Sequence, residues 1–189
     1  MPGNAFVYGT LMADEVVRVL IKRVPPSKPA ALKGYTRYKV KGQVFPAIVP
    51  STAEAKVEGK VLLDLSDKEL EILDVYESEE YYRATVAPVL EDGSETKADV
   101  YVWKDQYSHA LNPVPWSYEE WRSNHLDAWV SRREFFVFLT PNPPHVLLRA
   151  CVCVYACVCA ATTAPGTCFW PRNGPFSTSC ASITLNTWT

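Results

Sequence analysis

The chain has 189 residues, of which 48% are hydrophobic, 12% aromatic and 21% charged. That length suits one domain with or without an appendage, and the composition excludes collagen-like and wholly disordered classes. A formal net charge of −2 argues against a nucleic-acid binder, which carries a basic face.

Met1-Pro2-Gly3-Asn4 lacks a basic n-region, so no secretory signal is expected and the expected location is cytoplasmic. Asn4 to Tyr8 is a short apolar run closed by Gly9 and reads as a buried strand with a tight turn. From Asp14 the residues Val16, Val17, Leu20, Ile21 and Val24 follow helical spacing, with Asp14 and Glu15 at the positive end and Lys22 and Arg23 at the negative one. Pro25-Pro26 stops that helix. Ala30 to Val40 and Gln43 to Val49 read as strands interrupted by Gly34 and Gly42, with Pro46 marking an edge or bulge. In Lys56 to Leu65 the residues Val57, Gly59, Val61 and Leu63 share one face of a strand.

Ser66-Asp67-Lys68-Glu69 is a capping box that opens a short helix through Leu70, Leu73, Val75 and Tyr76. Tyr82 to Leu90 and Thr96 to Lys104 flank an Asp92-Gly93 hairpin signal. Ser117-Tyr118-Glu119-Glu120 is a second capping box, ahead of Trp121, Leu126, Trp129 and Val130. The order β-α-β-β-β-α-β-β-α has too few helices for a doubly wound sheet. It fits an α+β fold, a small mixed β-barrel or strongly curved sheet with flanking helices.

Composition changes abruptly near Val130 to Phe135. Residues 1–134 carry 17 basic and all 21 acidic residues, whereas 135–189 have Arg149 and Arg172 as their only charges, six of the 15 prolines and all six cysteines. Charged residues cover a soluble domain's exterior, so the domain is expected to be 1–134 and 135–189 a Cys-rich apolar tail outside it, poorly ordered or aberrantly translated. The run Cys151-Val152-Cys153-Val154-Tyr155-Ala156-Cys157-Val158-Cys159-Ala160 is what an alternating pyrimidine–purine repeat encodes, as in a translated non-coding stretch. Its Cys-x-Cys spacing lacks the Cys-x2–4-Cys pairing of structural zinc. Val146 to Ala164 only reaches the minimum length of a membrane span and includes Arg149, so a membrane association is not expected.

Two segments could carry chemistry. Val7, Tyr8, Gly9, Thr10, Leu11 and Met12 form a strand–glycine turn–helix start, which either is an ordinary βα turn or aims backbone N–H groups at an anion or developing oxyanion. It lacks the repeated glycines and lysine of a phosphate loop. Glu77 ends the second helix among Leu73, Tyr76, Tyr81 and Tyr82. It either is a solvated helix end or, stripped of hydration and set at the unfavourable pole of the helix, has a raised pKa and serves as a base near neutral pH. His109, His125 and His145 show no metal-ligand spacing and no nucleophile partner, so no metal is expected.

Taken in order, Phe6-Val7-Tyr8-Gly9-Thr10-Leu11, Gly34-Tyr35, Phe45-Pro46-Ala47-Ile48-Val49-Pro50, Val57-Glu58-Gly59-Lys60-Val61, Leu73-Asp74-Val75-Tyr76-Glu77, Tyr81-Tyr82-Arg83 and Val100-Tyr101-Val102-Trp103 resemble the γ-glutamyl cyclotransferase-like superfamily, in its plant AIG2-like branch. The resemblance implies a small mixed β-barrel with a cavity, neither metal nor cofactor, Val7 to Met12 as substrate-binding loop and Glu77 as proton acceptor. The implied reaction is attack of the α-amine of a small γ-glutamyl substrate on its own γ-carbonyl, giving 5-oxoproline and a released amine or amino acid. Gly9-Thr10-Leu11 is nearer the branch acting on γ-glutamylamines than the Gly-Ser-Asn-Leu-like loop of the glutathione-pathway enzymes. The alternative is a stress- or defence-response binding module that keeps the cavity without turnover.

Overall fold

The computed structural model describes residues 3–131. The boundary expected at 134/135 and everything expected of the tail, including the 146–164 run and His145, lie outside them.

The first strand, β1 (Gly3–Val7), is buried on both sides from Ala5 to Val7, which is why those residues are continuously apolar rather than alternating. Ala5 and Val7 pack with Leu62 and Leu65 on one face, and Phe6 and Tyr8 with Val57, Val61, Val100 and Val102 on the other. A single 3-10 turn (Thr10–Met12) leads into α1 (Asp14–Ile21), whose Val16, Val17, Leu20 and Ile21 are buried as their spacing requires. This helix stops before the prolines: Lys22 turns left-handed (φ 63°) and its N–H bonds the Arg18 carbonyl.

The stretch expected as one interrupted strand is two strands in different sheets, β2 (Ser27–Lys33) and β3 (Tyr35–Val40). Gly34 lies between them at φ 79°, open to glycine without strain, and its N–H and carbonyl are held by Ala55 and Ser51. β4 (Pro46–Pro50) starts later than expected and pairs with β3 as an edge strand, which tolerates its prolines. β5 (Lys56–Leu65) runs antiparallel to both β1 and β2. Its ladder with β1 shifts register between Gly3 and Ala5, and Asp64 opposite adopts φ 56°.

The helix α2 (Asp67–Glu77) begins at the expected capping box, with Glu69 N–H to Ser66 Oγ at 3.3 Å and Ser66 N–H to Glu69 Oε2 at 2.8 Å. After it come β6 (Tyr81–Val86), β7 (Val89–Leu90) and β8 (Ala98–Trp103). β6 pairs with β8 from Tyr81↔Trp103 to Val86↔Ala98, the expected Asp92-Gly93 turn closes with Leu90 N–H on the Ser94 carbonyl at 2.8 Å and a Val89↔Glu95 bridge, and β7 also pairs with β2 on the far edge. Residues 105–112, unassigned by the sequence patterns, form a 3-10 segment (Asp105–Ala110) and β9 (Leu111–Asn112). The last helix, α3 (Tyr118–Val130), has half of the expected capping box: Glu120 N–H reaches Ser117 Oγ at 3.2 Å, while the Glu120 carboxylate faces Lys39 at 3.5 Å.

The fold is thus α+β, with a curled mixed sheet and flanking helices. The barrel expected from sequence takes the form of a six-stranded sheet, β6-β8-β1-β5-β2-β7, and a three-stranded sheet, β4-β3-β9. β1 and β8 run parallel and the other pairs antiparallel.

Candidate active site

Where β1 ends beside the end of α2, a cavity of about 60 Å³ opens, lined by Phe6, Val7, Tyr8, Gly9, Thr10 and Leu11 from the first loop and by Tyr76 and Glu77 from α2. Phe45, Pro46, Tyr81, Tyr101 and Trp129 complete its wall. The two segments singled out in the sequence therefore face one another across one cavity. Met12 departs from the expectation: it is not among the lining residues and packs against the core instead, because its N–H closes the 3-10 turn on the Gly9 carbonyl at 3.0 Å.

The loop is fixed from several sides. Gly9 has φ −123°, so its lack of a side chain serves close approach and not a left-handed turn; a Cβ there would stand 3.0 Å from Pro46 Cγ. The Tyr8 carbonyl accepts from the Arg37 guanidinium at 2.6 Å, and Arg37 stacks over Trp116. Thr10 Oγ1 lies 2.7 Å from the Tyr76 hydroxyl, which also accepts from Trp129 Nε1 at 2.9 Å. The turn bonds of this loop are made by Met12 and Ala13 N–H, so the N–H groups of Thr10 and Leu11 come before its first internal bond.

Glu77 is the last residue of α2. The next residue, Ser78, takes φ 64° and ψ −170°, a region costly for any side chain, and turns the chain away immediately after the carboxylate. Ser78 Oγ bonds the Glu77 carbonyl at 2.6 Å and also reaches the Glu80 carboxylate. Glu77 is half-buried, and its carboxyl group is enclosed by the cavity wall. Burial raises it from the ordinary value of 4.5 to about 8.

Four tyrosines line the same cavity, and their hydroxyls are engaged with the wall. Tyr8 donates to the Tyr101 carbonyl at 2.7 Å, Tyr81 to the Pro46 carbonyl at 2.9 Å and Tyr101 to Asp74 Oδ1 at 2.7 Å, while Tyr76 is paired with Thr10. Among the described residues no hydrogen bond reaches the Glu77 carboxylate. Burial, and after it the Glu77 charge, holds the Tyr8 phenol well above its usual range. Burial first, then Asp74 and Glu77, does the same for Tyr101.

Of the aromatics expected around Glu77, Tyr76 and Tyr81 line the cavity. Tyr82 points outward and is 43% exposed, as alternation along β6 demands, and Leu73 lies in the core behind the helix. Phe45, Tyr101 and Trp129 are not singled out as cavity residues by sequence: Phe45 and Tyr101 stand there only within the family-like motifs, and Trp129 only within the last helix. His109 is exposed and His125 half-buried on α3. No group of three or more His, Cys, Asp or Glu suited to a metal occurs among the described residues, and none of the described helices is long and apolar enough to cross a membrane.

Residues 5–123 match the family described as gamma-glutamyl cyclotransferase, AIG2-like. AIG2-like protein D of Arabidopsis thaliana is 40% identical over 135 residues, covering 70% of this chain and 88% of that protein. A solution structure from Arabidopsis thaliana superposes with a TM-score of 0.55 at 34% identity, over 75% of this chain and 94% of its own. A structure titled gamma-glutamyl cyclotransferase shares the fold at 16% identity, with a TM-score of 0.51 over 69% of this chain and 98% of its own. With its motifs in order, its curled sheet in place and its family pattern matched over most of the described domain, this chain belongs to the AIG2-like family of γ-glutamyl cyclotransferases.

Proposed function

We propose that the protein is a γ-glutamyl cyclotransferase whose Glu77 removes a proton from the α-ammonium of a γ-glutamyl amine or amino acid. The freed nitrogen pair then attacks the substrate's own γ-carbonyl and forms the five-membered ring. The N–H groups of the Gly9 to Leu11 turn take the developing oxyanion. As the tetrahedral species collapses, the C–N bond to the leaving amine breaks; the proton held by Glu77 and the second proton shed by the ring nitrogen both pass to that amine, which departs as an ammonium. The products are 5-oxoproline and the amine.

The observation that carries this reading is a carboxylate with no hydrogen-bond donor among the described residues, raised to about 8 in a small aromatic cavity and facing the βα turn. Burial brings the Glu77 carboxyl close to the range in which an α-ammonium titrates, so proton transfer to it is far less uphill than to an ordinary carboxylate, which would be several units too weak. Ring closure within one bound molecule has a high effective molarity, so a shaped pocket supplies much of the catalysis without a covalent nucleophile.

The test incubates the protein with a panel of γ-glutamyl amino acids and amines and follows 5-oxoproline. Release from at least one, lost in Glu77→Gln, is the expected result. Saturable binding of a γ-glutamyl compound with no release from any of them would instead support the non-catalytic binding module. The domain limits 1–134 and a cytoplasmic location are part of the same proposal.

A further inference from the structure

Asp74 sits one turn before Glu77 on the same face of α2. Its Oδ1 accepts the Tyr101 hydroxyl at 2.7 Å, and its Oδ2 lies 3.4 Å from Arg83, which in turn lies 3.7 Å from Asp99. Thr85 fixes Asp99 from β6 at 2.9 Å. A tyrosine has one proton to give; Tyr101 gives it to Asp74, which is not among the cavity-lining residues, while Tyr101 itself lines the cavity and feels the Glu77 charge.

We propose that Asp74 is a positioning residue: by taking the Tyr101 proton it turns the Tyr101 oxygen into an acceptor for the substrate ammonium and prevents Tyr101 from donating to the Glu77 carboxylate. The ammonium is then held between two acceptors, one of which is the base. A donor aimed at Glu77 would stabilise its charged form and weaken it as a base. The other tyrosines around Glu77 also have their protons committed: Tyr8, just after β1, and Tyr81 on β6 donate to backbone carbonyls, and Tyr76 on α2 is shared between Thr10 and Trp129 of α3. Tyr101 differs in that a carboxylate takes its proton, and no Lys, Arg or His lines the cavity among the described residues. Arg83 faces Asp74 and Asp99.

The inference rests on Glu77 being the base of the proposed reaction, but its test does not require turnover. Carbon-13 NMR titration of the Glu77 carboxyl in the full chain compares the wild type with D74A, D74N, Y101F and D74A/Y101F. In D74A the released hydroxyl turns into the cavity, and the Glu77 midpoint falls by about one unit or more. D74N, whose amide oxygen still accepts the Tyr101 proton, keeps the midpoint within a few tenths of a unit of wild type. D74A/Y101F matches Y101F, because the effect of Asp74 passes through the Tyr101 hydroxyl. An unmoved midpoint in D74A overturns the proposal. So does an equal fall in the Y101F background, which would make Asp74 a through-space charge only. In turnover, D74A moves the acid limb of kcat/KM to lower pH by the same amount, where a merely structural loss would lower the whole profile in place. Absence of 5-oxoproline from every substrate would sink the cyclotransferase reading and leave the titration result standing by itself.

Discussion

Glu77→Gln is expected to make the protein less active and more stable, with the stability gain confined to neutral and alkaline pH. In the fold, burial raises this carboxyl from 4.5 to about 8. The folded state therefore retains a proton that the unfolded chain gives up, and wild-type stability falls as pH rises from about 4.5 towards 8, then levels. Some 3.5 units at about 1.4 kcal/mol each sets a ceiling of roughly 5 kcal/mol on the loss. Effective dielectric constants inside proteins exceed the dry-interior value, so the share expressed is about 2–4 kcal/mol.

Glutamine keeps the shape and carries no charge at any pH, so the loss disappears. Thermal melts of both proteins from pH 4 to 9 measure this. The difference in stability between variant and wild type should widen in favour of the variant by about 2–4 kcal/mol between those limits, on the order of 10 °C in melting temperature for a domain of this size. Turnover over the same series should fall by roughly 10²–10⁴-fold, as expected for loss of a general base. A difference in stability that does not change with pH, or one that widens against the variant, would show that Glu77 is charged and solvated in the fold. It would then be no special base.

The same carboxyl sets the acid limb of the rate profile: kcat/KM should rise about tenfold per pH unit below pH 8, with about 1% of the enzyme in the competent form at pH 6, until the substrate's own α-ammonium is lost at higher pH. Gly9→Ala places a Cβ 3.0 Å from Pro46, and calorimetry should show a loss of about 1–2 kcal/mol from this overpacking, with a larger proportional fall in turnover as the loop shifts. Tyr76→Phe removes the hydroxyl shared by Thr10 and Trp129; leaving both without that partner should cost about 1–3 kcal/mol in denaturant unfolding. Truncation after residue 134 should leave the melting temperature within about 4 °C, since a larger drop corresponds to roughly 1 kcal/mol contributed by the tail, and should raise solubility in a sedimentation assay.

The parts of the site readable in the sequence are those whose geometry is local. The loop needs only a buried strand, a glycine and a helix start within a few consecutive residues, and Phe6 to Leu11 supply them. Glu77 is placed by a capping box that fixes where α2 begins and by apolar spacing that fixes its inward face. What escaped depends on distant partners. Trp129 reaches Tyr76 from 53 positions away and Tyr101 reaches Asp74 from 27, and neither pairing leaves a periodic trace. Tyr81 and Tyr82 are alike in sequence; strand parity puts one in the cavity and the other in solvent. The assignment of β2 and β3 to different sheets turns on the backbone of Gly34, which the sequence marks only as an interruption.

How Glu77 becomes basic also distinguishes this site from an acidic cluster. Glu79 and Glu80 follow it closely, yet repulsion from them is not what raises it. Glu80 is occupied with the Ser78 hydroxyl, the backbone turns away at Ser78, and burial raises the Glu77 carboxyl. Repulsion between exposed charges is screened by salt, and the binding of an ammonium would have to compete with solvent for every carboxylate in the cluster. A base created by withholding donors behaves differently, because its one strong unmet demand is for a proton-bearing group delivered into the cavity. The aromatic walls exclude water from that demand, and the tyrosine hydroxyls, each engaged elsewhere, do not meet it. In the proposed reaction, an entering ammonium meets this carboxylate, the only one lining the cavity among the described residues, across from the turn whose N–H groups would take the oxyanion. On that reading, selectivity for a molecule with both an α-ammonium and a carbonyl within ring-closing reach would follow from the pairing.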